Sequence, residues 1–194
     1  MAVYHRLGKI PKKRHVVFRK PDGSLYHEEL CGTEGFSGVS SLVYHLYPPT
    51  IVKEAGSSYS VRPEIAIEDH LRAFSFQGFD MPLKDDYLES RTTLFVNDDM
   101  HIGLSASKKG TGDYFFKNAD ADELIFVHQG NGTLNTCFGN LDFGYGDYLV
   151  IPRGTVYKID FETTQNRLLI IESFSPVVTP PRYRNEYGQM LEHS

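Results

Sequence analysis

Short runs of apolar and β-branched residues, separated by glycine and proline, dominate the second half of the chain. Each run is four to seven residues long, a length typical of strands rather than helices. We predict strands at 92–97, 124–129, 133–138, 148–151, 155–161 and 167–173. The sequence Gly130-Asn131-Gly132 separates two of these runs and predicts a hairpin turn. The pattern predicts a mainly all-β fold, a jelly-roll sandwich or barrel with few short helices.

The first half of the chain is less regular. A β-hairpin is predicted over 16–27, with its turn at 21–24, because Pro21 and Gly23 suit a tight turn. The small residues of 32–41 predict a loop, and the apolar run 41–47 predicts a strand that two prolines end. The segment 63–74 fits a helix or a strand, and we leave both open.

Changes of composition divide the chain into three parts. We predict a β-rich N-terminal extension over 1–91, packed on a barrel over 92–175. Three prolines and a polar aromatic tail then predict an extended linker over 176–194 that leaves the barrel. The alternative is an ordinary tail that folds back over the sheet.

Length and composition exclude several classes of protein. The chain has 194 residues, 40% of them hydrophobic and 23% charged, and a net charge of −5, so it is neither a disordered polymer nor a membrane bundle. Its first residues lead into charges, which argues against a secretory signal, and we expect a cytoplasmic protein without a membrane partner. Cys31 and Cys137 lie in no CxxC motif, and we expect both to be free, mostly buried thiols, the alternative being a single bridge between them.

The charge of the chain is uneven. Residues 1–20 carry seven basic side chains and no acid, which leaves −12 for the other 174 residues. A basic arm suits nucleic acid or an acidic neighbouring surface. The body shows no basic stripe interleaved with aromatic residues, so we favour a solvated or subunit-docking arm and expect no nucleic-acid partner.

The segment 116–157 carries the chemical argument. Gly146 is followed, after five residues, by Pro152-Arg153-Gly154-Thr155-Val156-Tyr157. This spacing resembles the second motif of the cupin superfamily, G(x)5PxGxxH. The corresponding first motif, HxH(x)4E, then ends at Glu123. Its two histidine positions are Phe116 and Asn118, and the histidine of the second motif is Tyr157.

Three of the four metal positions of the motif are therefore not histidine. First-row metals need imidazole and carboxylate groups that converge at about 2.0–2.2 Å. Phe116 cannot bind a metal, and Asn118 is a weak ligand. We predict a degenerate, metal-free barrel with no catalytic, cofactor-binding or metal-binding residue, in which Glu123 pairs with Asn118, Tyr157 or an arginine. The alternative is an unusual metal site built on Glu123 and Tyr157.

Other side chains are weaker candidates. Acidic and histidine residues that could approach a metal on nearby strands are Asp98, Asp99, His101 and His128. No third histidine follows at a predictable spacing. His45 lies on an apolar strand and is interpreted as a satisfied core residue, and 68–70 as a solvated face.

Longer matches resemble one family, the homogentisate 1,2-dioxygenases of bacterial type, in their N-terminal half. The matching segments cover essentially the whole chain and are 4–15, 18–23, 32–36, 40–45 and 182–189. The resemblance implies a two-cupin oxidoreductase of tyrosine and phenylalanine catabolism. Such an enzyme opens the ring of homogentisate with O2 at Fe(II) and gives maleylacetoacetate.

The family resemblance also implies that the two cupin domains have different roles. The iron ligands, two histidines and a glutamate, belong to the C-terminal cupin of the family, and its members form hexamers built from trimers. The chain has about half the family's length, and no iron ligand maps onto its residues. We therefore expect a non-catalytic N-terminal cupin, inactive by itself, whose partner is a C-terminal cupin. The alternatives are a stand-alone metal-free cupin that binds a small organic ligand, and a non-catalytic assembly subunit.

Overall fold

The computed structural model describes residues 17–49, 51–67, 72–187 and 189–192, without the side chains of residues 33, 34 and 39. The chain divides into two compact units. One contains the described residues of Met1–Val61 and Thr179–Ser194, and the other those of Arg62–Val178. Residues 62–91 thus fall in the same unit as the predicted barrel. The boundaries at 91 and 175, as limits of domains, stay predictions.

The first unit contains a two-stranded antiparallel sheet of β1 (His27–Glu34) and β2 (Ser37–His45). Before it, Arg19 and Leu25 form an antiparallel bridge across a turn, so the predicted hairpin is confirmed. The loop predicted over 32–41 is wrong. Its small residues complete β1 and begin β2, because a positive-φ turn at Gly35 (φ 63°) returns the chain on itself.

The described residues of the C-terminal segment, in the same unit, are folded rather than extended. They contain a short 3-10 helix, Pro181–Tyr183, and an antiparallel bridge between Arg184 and Met190. The Asn185 side chain closes this turn, because its Oδ1 accepts the N–H groups of Tyr187 and Gln189, each at 3.0 Å. The role of 176–194 as a linker stays a prediction.

The second unit is a sandwich of two antiparallel sheets. Its described residues form eight strands: β3 (Arg91–Val96), β4 (Met100–Ser107), β5 (Asp122–Gln129), β6 (Gly132–Thr136), β7 (Gly139–Phe143), β8 (Tyr148–Ile151), β9 (Tyr157–Phe161) and β10 (Asn166–Ser173). One sheet has the order β3-β4-β10-β5-β8 and the other the order β7-β6-β9. A short 3-10 helix, Gly78–Asp80, precedes β3.

The core lies between the two sheets. Alternate residues of β5 and β10 point inward, among them Ile125, Val127 and Ile170, and meet Leu134 and Ile159 of the smaller sheet. All five are at most 3% exposed, so truncating one to alanine would cost about 2–5 kcal/mol of stability. The predicted fold class, an all-β jelly roll of the cupin type, is confirmed by this arrangement.

Two details of the sequence prediction are wrong. β4 and β7 were not predicted. Gly130-Asn131-Gly132 is no hairpin turn, because β5 and β6, which it joins, belong to different sheets. Gly130 (φ 109°) instead turns the chain from one sheet to the other. In the ambiguous segment, described residues 63–67 and 72–74 form neither helix nor strand.

Candidate functional site

The turns of the cupin-like motif form as its spacing predicts. Gly146 (φ 91°) and Gly154 (φ 79°) occupy left-handed turns on either side of β8, and Pro152 follows the last residue of that strand. Alternate side chains of β8 and β9, among them Ile151 and Tyr157, are thereby buried in the interior. The same arrangement also brings together two of the motif's ligand positions, since Phe116 and Tyr157 exchange two backbone hydrogen bonds of 2.8 and 2.9 Å.

Glu123 is the centre of the site. It lies near the start of β5, faces the interior and is fully buried. Tyr157 donates its hydroxyl to Glu123 Oε2 at 2.7 Å, and Arg91 donates Nη1 to Glu123 Oε1 at 2.7 Å. Both carboxylate oxygens therefore have a strong partner from the chain itself.

A second carboxylate lies beside the first. Glu172 on β10 is the direct cross-strand partner of Glu123 on β5, so both side chains project from the same face. Arg91 Nη2 reaches Glu172 Oε1 at 3.2 Å, and Asn118 donates Nδ2 to the same oxygen at 2.7 Å. His101, the partner of Glu172 on β4, brings Nδ1 to 3.8 Å from Glu172 Oε2. Arg91 thus bridges two acidic side chains.

The electrostatics of the cluster fix the charge of its members. Burial alone would lower the pKa of Arg91, but Tyr87 and the two carboxylates raise it above its ordinary value. The guanidinium is therefore permanently charged. Burial, and then the neighbouring Tyr87 and Glu123, raise the pKa of Tyr157 well above its ordinary value. Its hydroxyl stays protonated and acts as a hydrogen-bond donor.

Tyr87 completes the wall of the site. It is fully buried, and its ring lies 5.8 Å from the guanidinium carbon of Arg91. Its hydroxyl has no hydrogen-bond partner among the described residues. Burial raises the pKa of Tyr87 above its ordinary value, so the group is a neutral phenol. Tyr87 therefore packs against the cation without competing for the carboxylates.

The residues at the motif positions do not fit a metal ion. Phe116 contributes only its ring, which packs edge-on against the Tyr157 ring at 5.5 Å. Asn118 binds Glu172 through its nitrogen, and its Oδ1 accepts the backbone N–H groups of residues 120 and 121. Glu123 is occupied by Arg91 and Tyr157. Among the described residues, no group of three or more His, Cys, Asp or Glu is placed to hold a metal ion.

The other predicted candidates, except His101, lie apart from this cluster. Asp98 and Asp99 occupy the turn between β3 and β4, and only His101 of that group approaches the site. His128 points away from the core and contacts the rings of Phe79, Phe126 and Tyr145. His45 pairs with Glu29 at 2.7 Å, as a satisfied histidine should. Residues 68–70 and the basic arm up to residue 16 lie outside the described residues.

The prediction for the cysteines is wrong in part. Neither Cys31 nor Cys137 forms a disulfide, but Cys31 is only half-buried and Cys137 is exposed. Burial, and then the nearby Glu29, raise the pKa of the Cys31 thiol, which makes it a poor nucleophile.

Sequence reasoning missed Arg91, Glu172 and Tyr87. One signal was available: Glu172 interrupts the apolar run of β10 and falls opposite Glu123 once the strands pair. An acidic side chain in a buried strand is costly unless a cation pairs with it, so such a residue predicts a cation nearby. Nothing in the local sequence identifies Arg91 as that cation, since it lies 32 residues from Glu123.

The outer side of the five-stranded sheet is a second candidate site. The register places these apolar residues on that side: Phe95, Ile102, Leu104, Leu124, Phe126, Tyr148, Val150, Leu169 and Ile171. We call this set the outer apolar face. Such a sheet usually has one polar, solvated side. Phe76 packs on Phe95 at 5.5 Å and covers part of the face, but Tyr148 is 64% exposed.

Comparison with known proteins matches these features to one family. The family model described as "Homogentisate 1,2-dioxygenase N-terminal" matches residues 19–183. A protein of Saccharolobus solfataricus named "Putative dioxygenase" is 40% identical over 194 residues, which is 100% of this chain and 50% of that protein. A homogentisate 1,2-dioxygenase of Bradyrhizobium diazoefficiens is 33% identical over 73 residues, 38% of this chain and 16% of that enzyme.

Solved structures with a similar fold carry cupin names. A cupin-2 domain protein of Shewanella frigidimarina has a TM-score of 0.41 and 21% identity, and covers 49% of this chain and 87% of its own. The Cnp3 cupin domain of Schizosaccharomyces pombe has a TM-score of 0.40 and 15% identity, with coverage of 43% and 62%. Among the described residues, no helix is long and apolar enough to cross a membrane. The chain spans about half the length of the first of these relatives, and it belongs to the homogentisate 1,2-dioxygenase N-terminal family.

Proposed function

We propose that this chain is the non-catalytic N-terminal cupin of a homogentisate 1,2-dioxygenase-like enzyme, and that it is inactive by itself. One observation carries the proposal: both oxygens of Glu123, the only metal-ligand residue kept from the motif, are bound by Arg91 and Tyr157. A metal ion would have to displace a buried, charged pair. Fe(II) and the ring-opening chemistry would then belong to a second cupin.

The outer apolar face supports a scaffold role for the chain. Phe95, Tyr148 and Val150 of this face are exposed and its other six residues are half-buried. An apolar patch that stays accessible to solvent marks an interaction site. The Saccharolobus relative has as much chain again as the part that matches here. We propose that the second half of such a protein docks on the outer apolar face, and that the assembled enzyme is an oligomer in the cytoplasm.

Small-ligand binding, the alternative function, has weaker support. A cleft beside the cluster is lined in part by Arg91, His101 and Glu172, but its cavity volume is about 10 Å³, which is room for about one water molecule, and it is partly open to solvent. Pockets for drug-sized ligands have volumes of about 300–1,000 Å³. The filled interior favours the scaffold role.

An oxygen-electrode assay tests the proposed function. The 194-residue chain is supplied with Fe(II) and homogentisate, beside an active homogentisate 1,2-dioxygenase as the positive control. We expect no O2 uptake above that of Fe(II) and homogentisate without protein. Robust turnover by this chain alone would overturn the proposal. His101→Ala and Glu172→Ala would then identify the residues responsible.

Mixing the two halves tests the scaffold role separately. The unmatched half of the Saccharolobus relative is produced as its own polypeptide and combined with this chain in size-exclusion chromatography. We expect a complex that elutes ahead of either half. If both halves are folded and elute independently at every ratio, the docking proposal is wrong. Self-association of this chain through the same face would also count against it.

A further inference from the structure

We infer that Arg91 is a built-in cation of the barrel, and that the pocket it fills is a binding site for a planar monovalent cation. The guanidinium lies against the one carboxylate that the cupin-like motif provides for a metal, at 2.7 Å from Glu123 Oε1. The site therefore needs a positive charge, although three of its four motif positions are not histidine. The inference does not rest on the proposed function, because it concerns this pocket alone.

The need for a cation follows from the pairing of the strands. Glu123 and Glu172 are opposed on β5 and β10, and their side chains are 0% and 24% exposed. Like charges in directly opposed positions destabilise a sheet. Burial intensifies the repulsion, because the two charges are removed from water. A positive charge between them offsets both effects.

The shape of the pocket favours a planar cation. The two carboxylates receive different nitrogens of one guanidinium, Nη1 for Glu123 and Nη2 for Glu172. An ammonium group is a compact point charge and cannot present this fork. The Tyr87 ring lies on a further side, 5.8 Å from the guanidinium carbon, where a π face attracts a cation.

The fold also shields most of the pocket from solvent. The Arg91 side chain is 18% exposed, and its partner Glu123 is fully buried. By contrast, Arg153, which pairs with Asp122 at 3.5 Å, is 41% exposed. The Arg153 pair is therefore a matched control, an arginine and a buried carboxylate of the same unit in which the arginine is more exposed to solvent.

Chemical rescue of Arg91→Ala tests the inference. The substitution leaves Glu123 buried without its cation, and we expect the melting temperature to fall by about 6–20 °C. Guanidinium or methylguanidinium ion at millimolar concentration, far below the range in which it denatures, should raise that melting temperature in a saturable way. The unsubstituted chain should show no such rise, since its pocket is filled. Sodium and tetramethylammonium chloride should not substitute for guanidinium.

Two further variants keep the test decisive. Arg153→Ala should gain no response to guanidinium. Arg91→Ala combined with Glu123→Gln should melt higher than Arg91→Ala, because the uncompensated charge is gone, and should lose the rescue. If Arg91→Ala does not fold by itself, it should fold when millimolar guanidinium is present, and Arg91→Lys should fold without guanidinium but melt below the unsubstituted chain.

The inference is overturned by any of three results. The first is an Arg91→Ala chain as stable as the original. The second is a guanidinium response of equal size in the original, Arg91→Ala and Arg153→Ala chains. The third is a double variant less stable than Arg91→Ala, which would mean that the Glu123 charge needs no cation.

Discussion

Phe116 and Tyr157 stand in the ligand positions of two different motifs and face each other across a single antiparallel bridge. Their backbones exchange two hydrogen bonds, and their rings pack edge to face with centroids 5.5 Å apart. Aromatic pairs in this geometry contribute about 0.5–1.5 kcal/mol beyond their buried area. Where imidazole nitrogens would converge on a metal, this barrel has a packed aromatic pair.

We expect the Tyr157 hydroxyl to contribute measurably to the stability of the fold. Tyr157→Phe leaves Glu123 Oε2 buried without its donor, which costs about 1–3 kcal/mol. We expect the melting temperature to fall by about 2–12 °C in calorimetry. Tyr145→Phe is the matched control, because Tyr145 is 77% exposed, and its melting temperature should barely change. Equal effects of the two substitutions would count against the role assigned to the Tyr157 hydroxyl.

The two buried tyrosines should make the fold sensitive to alkaline pH. The pKa values of Tyr87 and Tyr157 are raised by burial, so the folded chain holds these protons when the unfolded chain, with a tyrosine pKa of about 10, releases them. The contribution is fully present below about pH 10 and is lost as the pH rises above it. Urea unfolding between pH 8 and pH 11 measures this decline.

A matched variant assigns that decline to the tyrosines. Tyr87→Phe combined with Tyr157→Phe should weaken the fall in stability above about pH 10, although the variant is less stable at neutral pH. An unchanged slope would show that other groups, such as surface lysines, cause the alkaline loss.

Glu123 should be more sensitive to losing its charge partner than to losing its own charge. Removing Arg91 alone leaves a buried carboxylate and costs about 3–5 kcal/mol. Glu123→Gln relieves the repulsion with Glu172, and we expect it to cost less than Arg91→Ala. Urea unfolding of the two variants provides the comparison, and the reverse order would contradict this account of the cluster.

The outer apolar face should tolerate charge in the isolated chain but not in a complex. Tyr148 is 64% exposed, so Tyr148→Glu should leave the melting temperature nearly unchanged. The same substitution should weaken binding of the unmatched half of the Saccharolobus relative at least tenfold in titration calorimetry, since it would bury a charge in the interface. Phe138→Glu, at an exposed aromatic residue in the turn that joins β6 and β7 of the smaller sheet, is the control and should bind normally. Equal binding by both variants would place the interface elsewhere.

The sequence predicts the strands whose apolar residues alternate or cluster, and it fails where packing selects small residues. The run 148–151 coincides with β8, because apolar residues flanked by glycines leave little choice. β4 was missed because it holds Gly103, Ser105 and Ser107 in place of large apolar residues. A Cβ atom at Gly103 would lie 2.7 Å from the backbone oxygen of Thr92 on β3. Thr92 becomes a neighbour of Gly103 only when β3 and β4 pair, so the local sequence does not reveal why a glycine is needed there.

The sequence predicts those residues of the site that lie in the motif, but not those that strand pairing brings to it. Glu123 and Tyr157 follow from motif spacing, because the turns at Gly146 and Gly154 fix where β9 begins. Asn118 was expected near Glu123 but binds Glu172 instead, since strand pairing places the second carboxylate within its reach. Arg91 enters from a distant strand, and such a long-range contact leaves no trace in local spacing.

Iron content of the purified chain tests the central claim most directly. The chain is incubated with Fe(II) without oxygen, desalted and analysed by mass spectrometry for metal, beside Glu123→Ala. If Arg91 and Tyr157 occupy the carboxylate that a metal would need, both samples should hold well below one iron per chain, in equal amounts. One tightly held iron per chain that is lost on Glu123→Ala would contradict the account.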